Sequence, residues 1–155
     1  MFNQPSEVIH IEPCGAILLV DNDEYLIKIN RISLELRRYT VYTAATFAEA
    51  QLRLEDTVPD IIIMEVYLPD GDGFAFCREA RSKTDSHLFF LTSWARPQDI
   101  DDGHKSGCDA YITKPFMTER LMQQVEAAMR RRRWSMTSTA STTNRRVAAN
   151  GKNRS

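Results

Sequence analysis

Five short runs of apolar and β-branched residues, each followed by a longer segment with helical spacing, constrain this chain more than any other feature. The runs cover residues 16–20, 40–44, 60–64, 87–91 and 110–113. Their lengths suit strands, and their lack of apolar–polar alternation suits strands buried on both faces. The segments between them predict helices over about 24–39, 47–55, 74–82, 97–107 and 118–133. Five strand–helix units in that order predict an α/β protein: a five-stranded parallel sheet with helices on both faces.

Local signals set the boundaries. Ile29, Ile32, Ser33 and Leu36 share one face of the first helix, its candidate core face. Thr46 with Glu49 three residues on is a capping box that opens the second helix. Pro59 keeps the chain out of helix before the third run. Pro69-Asp70-Gly71-Asp72-Gly73 is a turn cluster, in which Asp70 and Asp72, like Asp85 further on, read as solvated residues. Pro97 suits the first turn of the fourth helix. Phe74, Phe76, Phe89 and Phe90 read as core or half-core aromatics.

A length of 155 residues is enough for one domain with a sizeable core. The boundaries divide the chain into an N-terminal extension (1–13), a folded unit (14–133) and a tail (134–155). No apolar run approaches the ~20 residues of a membrane span, and the first residues lack the pattern of a secretory signal. The expectation is a cytoplasmic protein without a membrane span. Cys14, Cys77 and Cys108 are scattered and odd in number, as free thiols in a reducing compartment would be. His10, His87 and His104 have no partner at ligand spacing and read as surface or packing residues.

The net charge of −1 hides an asymmetry. Eight of the 20 basic residues and none of the 21 acidic ones lie in 130–155, which leaves about −9 on residues 1–129. Arg130, Arg131, Arg132 and Arg133 fall at the expected last turn of the final helix, where they oppose its dipole. The alternative is contact with nucleic acid, an acidic partner or a membrane surface. Beyond Trp134 the Ser/Thr/Asn/Arg-rich stretch has little to bury and is expected to be disordered. No helix-turn-helix pattern follows the folded unit.

In sheets of this kind ligands and chemistry sit at the carboxyl ends of the strands. Asp21 follows the first run, Glu65 the third, Thr92 the fourth and Lys114 the fifth. Four polar residues at four such ends predict a site.

Leu18-Leu19-Val20-Asp21-Asn22-Asp23-Glu24, Met64-Glu65-Val66-Tyr67-Leu68-Pro69, Leu91-Thr92-Ser93 and Tyr111-Ile112-Thr113-Lys114-Pro115-Phe116 resemble, in order and spacing, the four signatures of response-regulator receiver domains of two-component systems. The match spans about residues 14–131. The resemblance implies the flavodoxin-like, doubly wound (βα)5 fold. It also implies a chemistry in which a carboxylate takes a phosphoryl group from a kinase histidine with the help of Mg2+. Lys114 would pair with the phosphate, Thr92 would swing in to hydrogen-bond it, and Tyr111 would follow. That movement changes the face built by helix four, strand five and helix five (the α4-β5-α5 face of the family), where a histidine kinase or another signalling protein docks and where a homodimer can form. Glu65 holds the phosphoacceptor position, Asp21 and Asn22 the acidic pocket, and Asp21 with Glu65 the metal position.

Two positions depart from the family pattern. Glutamate stands at 65 where the family has aspartate, and its extra methylene displaces the carboxylate by up to roughly 1.5 Å. Transfer is sensitive to a misplacement of ~1 Å. Asn22 replaces a carboxylate that ligates the cation, so magnesium binding is expected to be weak or absent. Tyr67 and Trp94 flank the mouth of the site and are candidates to cover it. The reading is a stand-alone pseudo-receiver, not an enzyme, in which Glu65 mimics the phosphorylated state in part or locks the inactive one. The alternatives are a working phosphoacceptor in a phosphorelay and, from another class, a phosphatase or ligand-binding protein on the same fold, for which Asp21-Asn22-Asp23 has the aspartate spacing.

Overall fold

In each of the central strands, successive side chains point to opposite faces of the sheet, and both faces are apolar. Ile17, Leu19, Ile61, Ile63, Phe89 and Leu91 pack on one side against Leu34, Leu121 and Val125. Leu18, Val20, Ile62, Met64, Leu88 and Phe90 pack on the other against Ala50, Phe76 and Cys77. Fully burying one such side chain stabilises the fold by about 1.5–3 kcal/mol, so these two layers dominate its energetics.

The computed structural model describes residues 11–150, with side chains described through Ser138. Its elements are β1 (Gly15–Val20), α1 (Glu24–Glu35), β2 (Tyr39–Ala44), α2 (Phe47–Asp56), β3 (Ile61–Met64), β4 (Tyr67–Leu68), β5 (Gly71–Asp72), α3 (Gly73–Arg81), β6 (His87–Thr92), α4 (Pro97–Ser106), β7 (Ala110–Thr113) and α5 (Thr118–Asn150). The main sheet has the order β2-β1-β3-β6-β7, and all its pairs are parallel. α1 and α5 lie on one face, α2 and α3 on the other, with α4 beside α3 and β7. This is the expected doubly wound five-stranded sheet. β4 and β5 form a separate two-residue antiparallel ladder inside the turn cluster.

The face of α1 differs from the expectation. Ile27, Asn30 and Leu34 turn toward the sheet, while Ile29, Ile32 and Leu36 are 37%, 49% and 78% exposed. Both sets have helical spacing, and counting apolar residues favours the outer one because the inner one contains an amide. The start of the helix decides the phase: Asp23 caps it by accepting from the Tyr25 and Leu26 amides at 3.0 and 3.1 Å. The capping box at α2 is shifted by one residue, since Thr46 accepts from Glu49 N but the Glu49 carboxylate takes Ala45 N.

Asp70 is exposed and Asp72 half-exposed, as solvated turn residues would be, and both also cap helices. Asp70 reaches across to the start of α2 and accepts from Phe47 N and Ala48 N at 3.1 and 2.9 Å. Those bonds, Ala48's first, hold its carboxyl below the usual aspartate value. Asp72 caps α3 through Phe74 N at 2.8 Å.

α5 continues to Asn150, so the tail expected to be disordered is helical as far as the structure describes it. No proline or glycine interrupts 118–150, and the helix propagates from a docked first half. The four arginines therefore lie mid-helix and do not oppose a terminal dipole. Arg132 turns inward, with Nε donating to Asp60 Oδ1 at 2.8 Å and a terminal nitrogen to the Asp85 carbonyl at 2.8 Å, while Arg130, Arg131 and Arg133 are exposed. No helix among the described residues is long and apolar enough to cross a membrane. His10 and residues 151–155 lie outside the described residues. His104 meets the Cys108 sulfur at 3.7 Å, and His87, held below its usual value chiefly by burial, packs beside Asp109.

Candidate functional site

Parallel register brings four strand ends to one edge of the sheet. Val20 pairs with Met64, Met64 with Phe90, and Thr92 with Thr113. The residues that follow β1, β3 and β7, together with the last residue of β6, consequently meet. They are Asp21, Glu65, Lys114 and Thr92.

Lys114 Nζ lies 2.8 Å from Asp21 Oδ2 and 2.8 Å from Glu65 Oε2. The three side chains are only 12–14% exposed, so their attraction is little screened by solvent. Burial pulls the Lys114 ammonium down, but the hydrogen bonds and charges of Asp21 and Glu65 outweigh it and hold the ammonium above its ordinary value. The remaining oxygens are also engaged. Asp21 Oδ1 accepts from Asp23 N at 2.9 Å, and Glu65 Oε1 accepts from Val66 N at 2.8 Å.

Thr92 is fully buried, and its hydroxyl is a junction. It donates to Glu65 Oε1 in a short hydrogen bond and accepts from Trp94 N at 3.2 Å. Two residues on from that threonine, the Trp94 carbonyl accepts from the Tyr111 hydroxyl at 2.6 Å. Burial first, then the charges of Asp99 and Glu65, push the Tyr111 hydroxyl up, so it stays a neutral donor. The Tyr111 ring rests on Gly103 of α4, where a Cβ would come within 2.6 Å of it, and lies 5.8 Å from the Phe90 ring.

Two residues beyond Glu65 and Thr92, Tyr67 and Trp94 touch with ring centroids 4.3 Å apart. The Arg96 guanidinium lies 5.4 Å from the Trp94 ring centre, and it also holds Asp99 of α4 at 2.9 Å. Below, Gly73 allows α3 to start against the loop, because a Cβ there would fall 2.8 Å from the Glu65 carbonyl and 2.9 Å from that of Val66.

The structure thus unites Asp21, Glu65, Thr92, Tyr111 and Lys114, and it brings Tyr67 and Trp94 into contact with each other. Asn22 is exposed and stands outside the hydrogen-bond network. Gly103, Arg96 and Asp99 escaped the sequence reading. Only Arg96 and Asp99, three residues apart around Pro97, left a local signal. Asp23, the second aspartate of the phosphatase-like spacing, is committed to capping α1.

A model of the response regulator receiver domain family matches residues 17–126. The chain belongs to this family. As a receiver domain it is similar to a two-component response regulator from Clostridium difficile, at 30% identity over 76% of this chain and 97% of that one, with a TM-score of 0.74. A chemotaxis protein, CheY4 of Vibrio cholerae, is 26% identical over 74% of this chain and 98% of its own, with a TM-score of 0.69. A CheY-like receiver protein from Methanospirillum hungatei JF-1, at 24% identity and a TM-score of 0.75 over 78% of this chain and 98% of that one, shares the fold. Receiver domains are generally signalling modules; they work with histidine kinases and other signalling proteins and typically bind Mg2+ at their acidic pocket.

Proposed function

We propose that this receiver domain is held in an active-like arrangement by Glu65 and serves as a protein–protein signalling module without turnover of its own. The observation that carries the reading is the pair of contacts on one carboxylate: the Thr92 hydroxyl on Glu65 Oε1 and the Lys114 ammonium on Oε2. These are the partners that the family gives to a phosphoryl group. Glu65 offers them about one negative charge, against −1.5 to −2 from a phosphate, so the mimicry is partial. Tyr111, turned in over Gly103 and bonded to the Trp94 carbonyl, supports the active-like alternative over the locked inactive one.

The acidic pocket fits magnesium poorly. Its two carboxylates share one ammonium, and its third member is the amide Asn22. The contact between Tyr67 and Trp94, two residues beyond Glu65 and Thr92, supports a cover over the acceptor position in this reading. Output in this reading passes through the face of α4, β7 and α5, because Tyr111 and Gly103 belong to that face. The partner is a histidine kinase or another signalling protein, or a second copy. A cytoplasmic location belongs to the same reading, supported by three free cysteines, of which Cys108 is pushed up to about 12 by burial.

Intact mass after incubation with magnesium and a small phosphodonor tests this reading on the wild type beside Glu65→Asp. The expected result is a phosphate adduct on the variant and none on the wild type. An adduct on wild-type Glu65 would overturn the reading in favour of an ordinary phosphoacceptor.

A further inference from the structure

Asn30 is 4% exposed, yet its side-chain oxygen Oδ1 has no hydrogen-bond partner in the protein. Buried polar atoms are almost always satisfied, by protein or by ordered water. This oxygen belongs to a residue that borders a small cavity of about 10 Å³, shared with Asp21, Glu65, Ile27, Ile63 and Leu91. Such a space holds about one water molecule. On its other side Asn30 lines a wide groove with Tyr25, Ile29, Lys114 and Phe116. Asn30 thus lines both the cavity and the groove.

The polar groups around the cavity identify its occupant. Asp21 receives one bond on each oxygen, from Asp23 N and Lys114. Glu65 receives two on Oε1 and one on Oε2. A carboxylate has about four lone-pair sites, so both retain acceptor capacity. Asn30 Oδ1 is an acceptor too. Three residues with acceptor capacity line one cavity, and what they share a need for is a small donor with two hydrogens. A bare cation in that space would face Ile27, Ile63 and Leu91 over much of its surface, which is costly for a charge and tolerable for a water.

We propose that one ordered water occupies this cavity, donating one hydrogen to Asn30 Oδ1 and the other to the carboxylate of Asp21 or Glu65. Asn30 is thereby a positioning residue: through the water it fixes the carboxylate pair that grips Lys114. This holds whether Glu65 is a mimic or an acceptor.

The test compares the full-length wild type with Asn30→Thr and Asn30→Val, which share one shape and differ by a hydroxyl. Water cross-relaxation in NMR detects a long-lived internal water, and the 15Nζ signal of Lys114 reports whether its ammonium is held. The wild type is expected to show the water and a sharp Lys114 signal. Asn30→Thr keeps both, and Asn30→Val loses both while its melting transition remains cooperative. A wild type with no long-lived water beside Asn30 overturns the proposal, and that measurement decides alone if Asn30→Val does not fold. An unchanged Lys114 signal in folded Asn30→Val overturns the positioning role.

Discussion

β3 carries a carboxylate at each end, and the two are employed differently. Asp60 precedes the strand and Glu65 follows it. Each accepts from a backbone amide, Ala16 N for Asp60 and Val66 N for Glu65, both at 2.8 Å. Each also meets a long cation from the last third of the chain, Arg132 or Lys114, again at 2.8 Å. At the amino end the cation is a forked guanidinium with a second anchor on the Asp85 carbonyl, and the pair pins a helix to the sheet. At the carboxyl end the cation is a single ammonium shared between two carboxylates, and the third partner is the Thr92 hydroxyl. The same ion pairing pins a helix to the sheet at one end and gathers the ends of several strands at the other.

The sharpest way to break this comparison is to remove each cation in turn. Lys114→Met leaves Asp21 and Glu65 facing each other without compensation, and removing one partner of a buried pair costs about 3–5 kcal/mol. The carboxyl-end loss is expected in that range, read as a shift in the urea midpoint at unchanged slope. Arg132→Met leaves only Asp60, which is 26% exposed and keeps its bond to Ala16 N, so a loss of about 1–2 kcal/mol is expected. Equal losses would erase the distinction between the two ends. Arg132→Met should also raise amide exchange along the second half of α5, an effect that Lys114→Met should lack.

The smallest effect is a pH limb. The Lys114 ammonium is held above its ordinary value of 10.5, so the folded protein keeps this proton longer than the unfolded chain does. Its contribution is complete below about pH 10.5 and fades as the pH climbs through the raised folded value. Tyr39 and Tyr111, both raised chiefly by burial, lose stability in the same direction above about pH 10. The informative quantity is therefore the difference between wild type and Lys114→Met, which should narrow in alkali. A constant gap up to pH 12 would remove Lys114's titration from the account.

The carboxyl-end site was legible in the sequence because each member terminates an apolar run, so strand order and register were enough to assemble it. The amino-end joint was not. Asp60 reads as the first residue of a strand and Arg132 as one of four arginines, and only the return of α5 across the sheet brings them together. The capping role of Asp70 was missed for the same reason, since the helix it caps lies more than twenty residues upstream. α1 failed differently. Ile29, Ile32 and Leu36 outnumber the apolar residues of the buried face, and the amide that tipped the count, Asn30, faces the site. A polar residue on the inner face of a helix was misleading as a core signal and informative as a functional one.

The joint at Arg132 also sets the mechanics of what lies past it. From that point α5 runs another 18 residues to Asn150, about 27 Å of helix at 1.5 Å per residue. Arg132 is thus a fulcrum and the helix beyond it a lever arm. A tilt of about 5° at the sheet sweeps the far end through about 2 Å, so a displacement smaller than a bond length at the domain's edge arrives at the tip amplified.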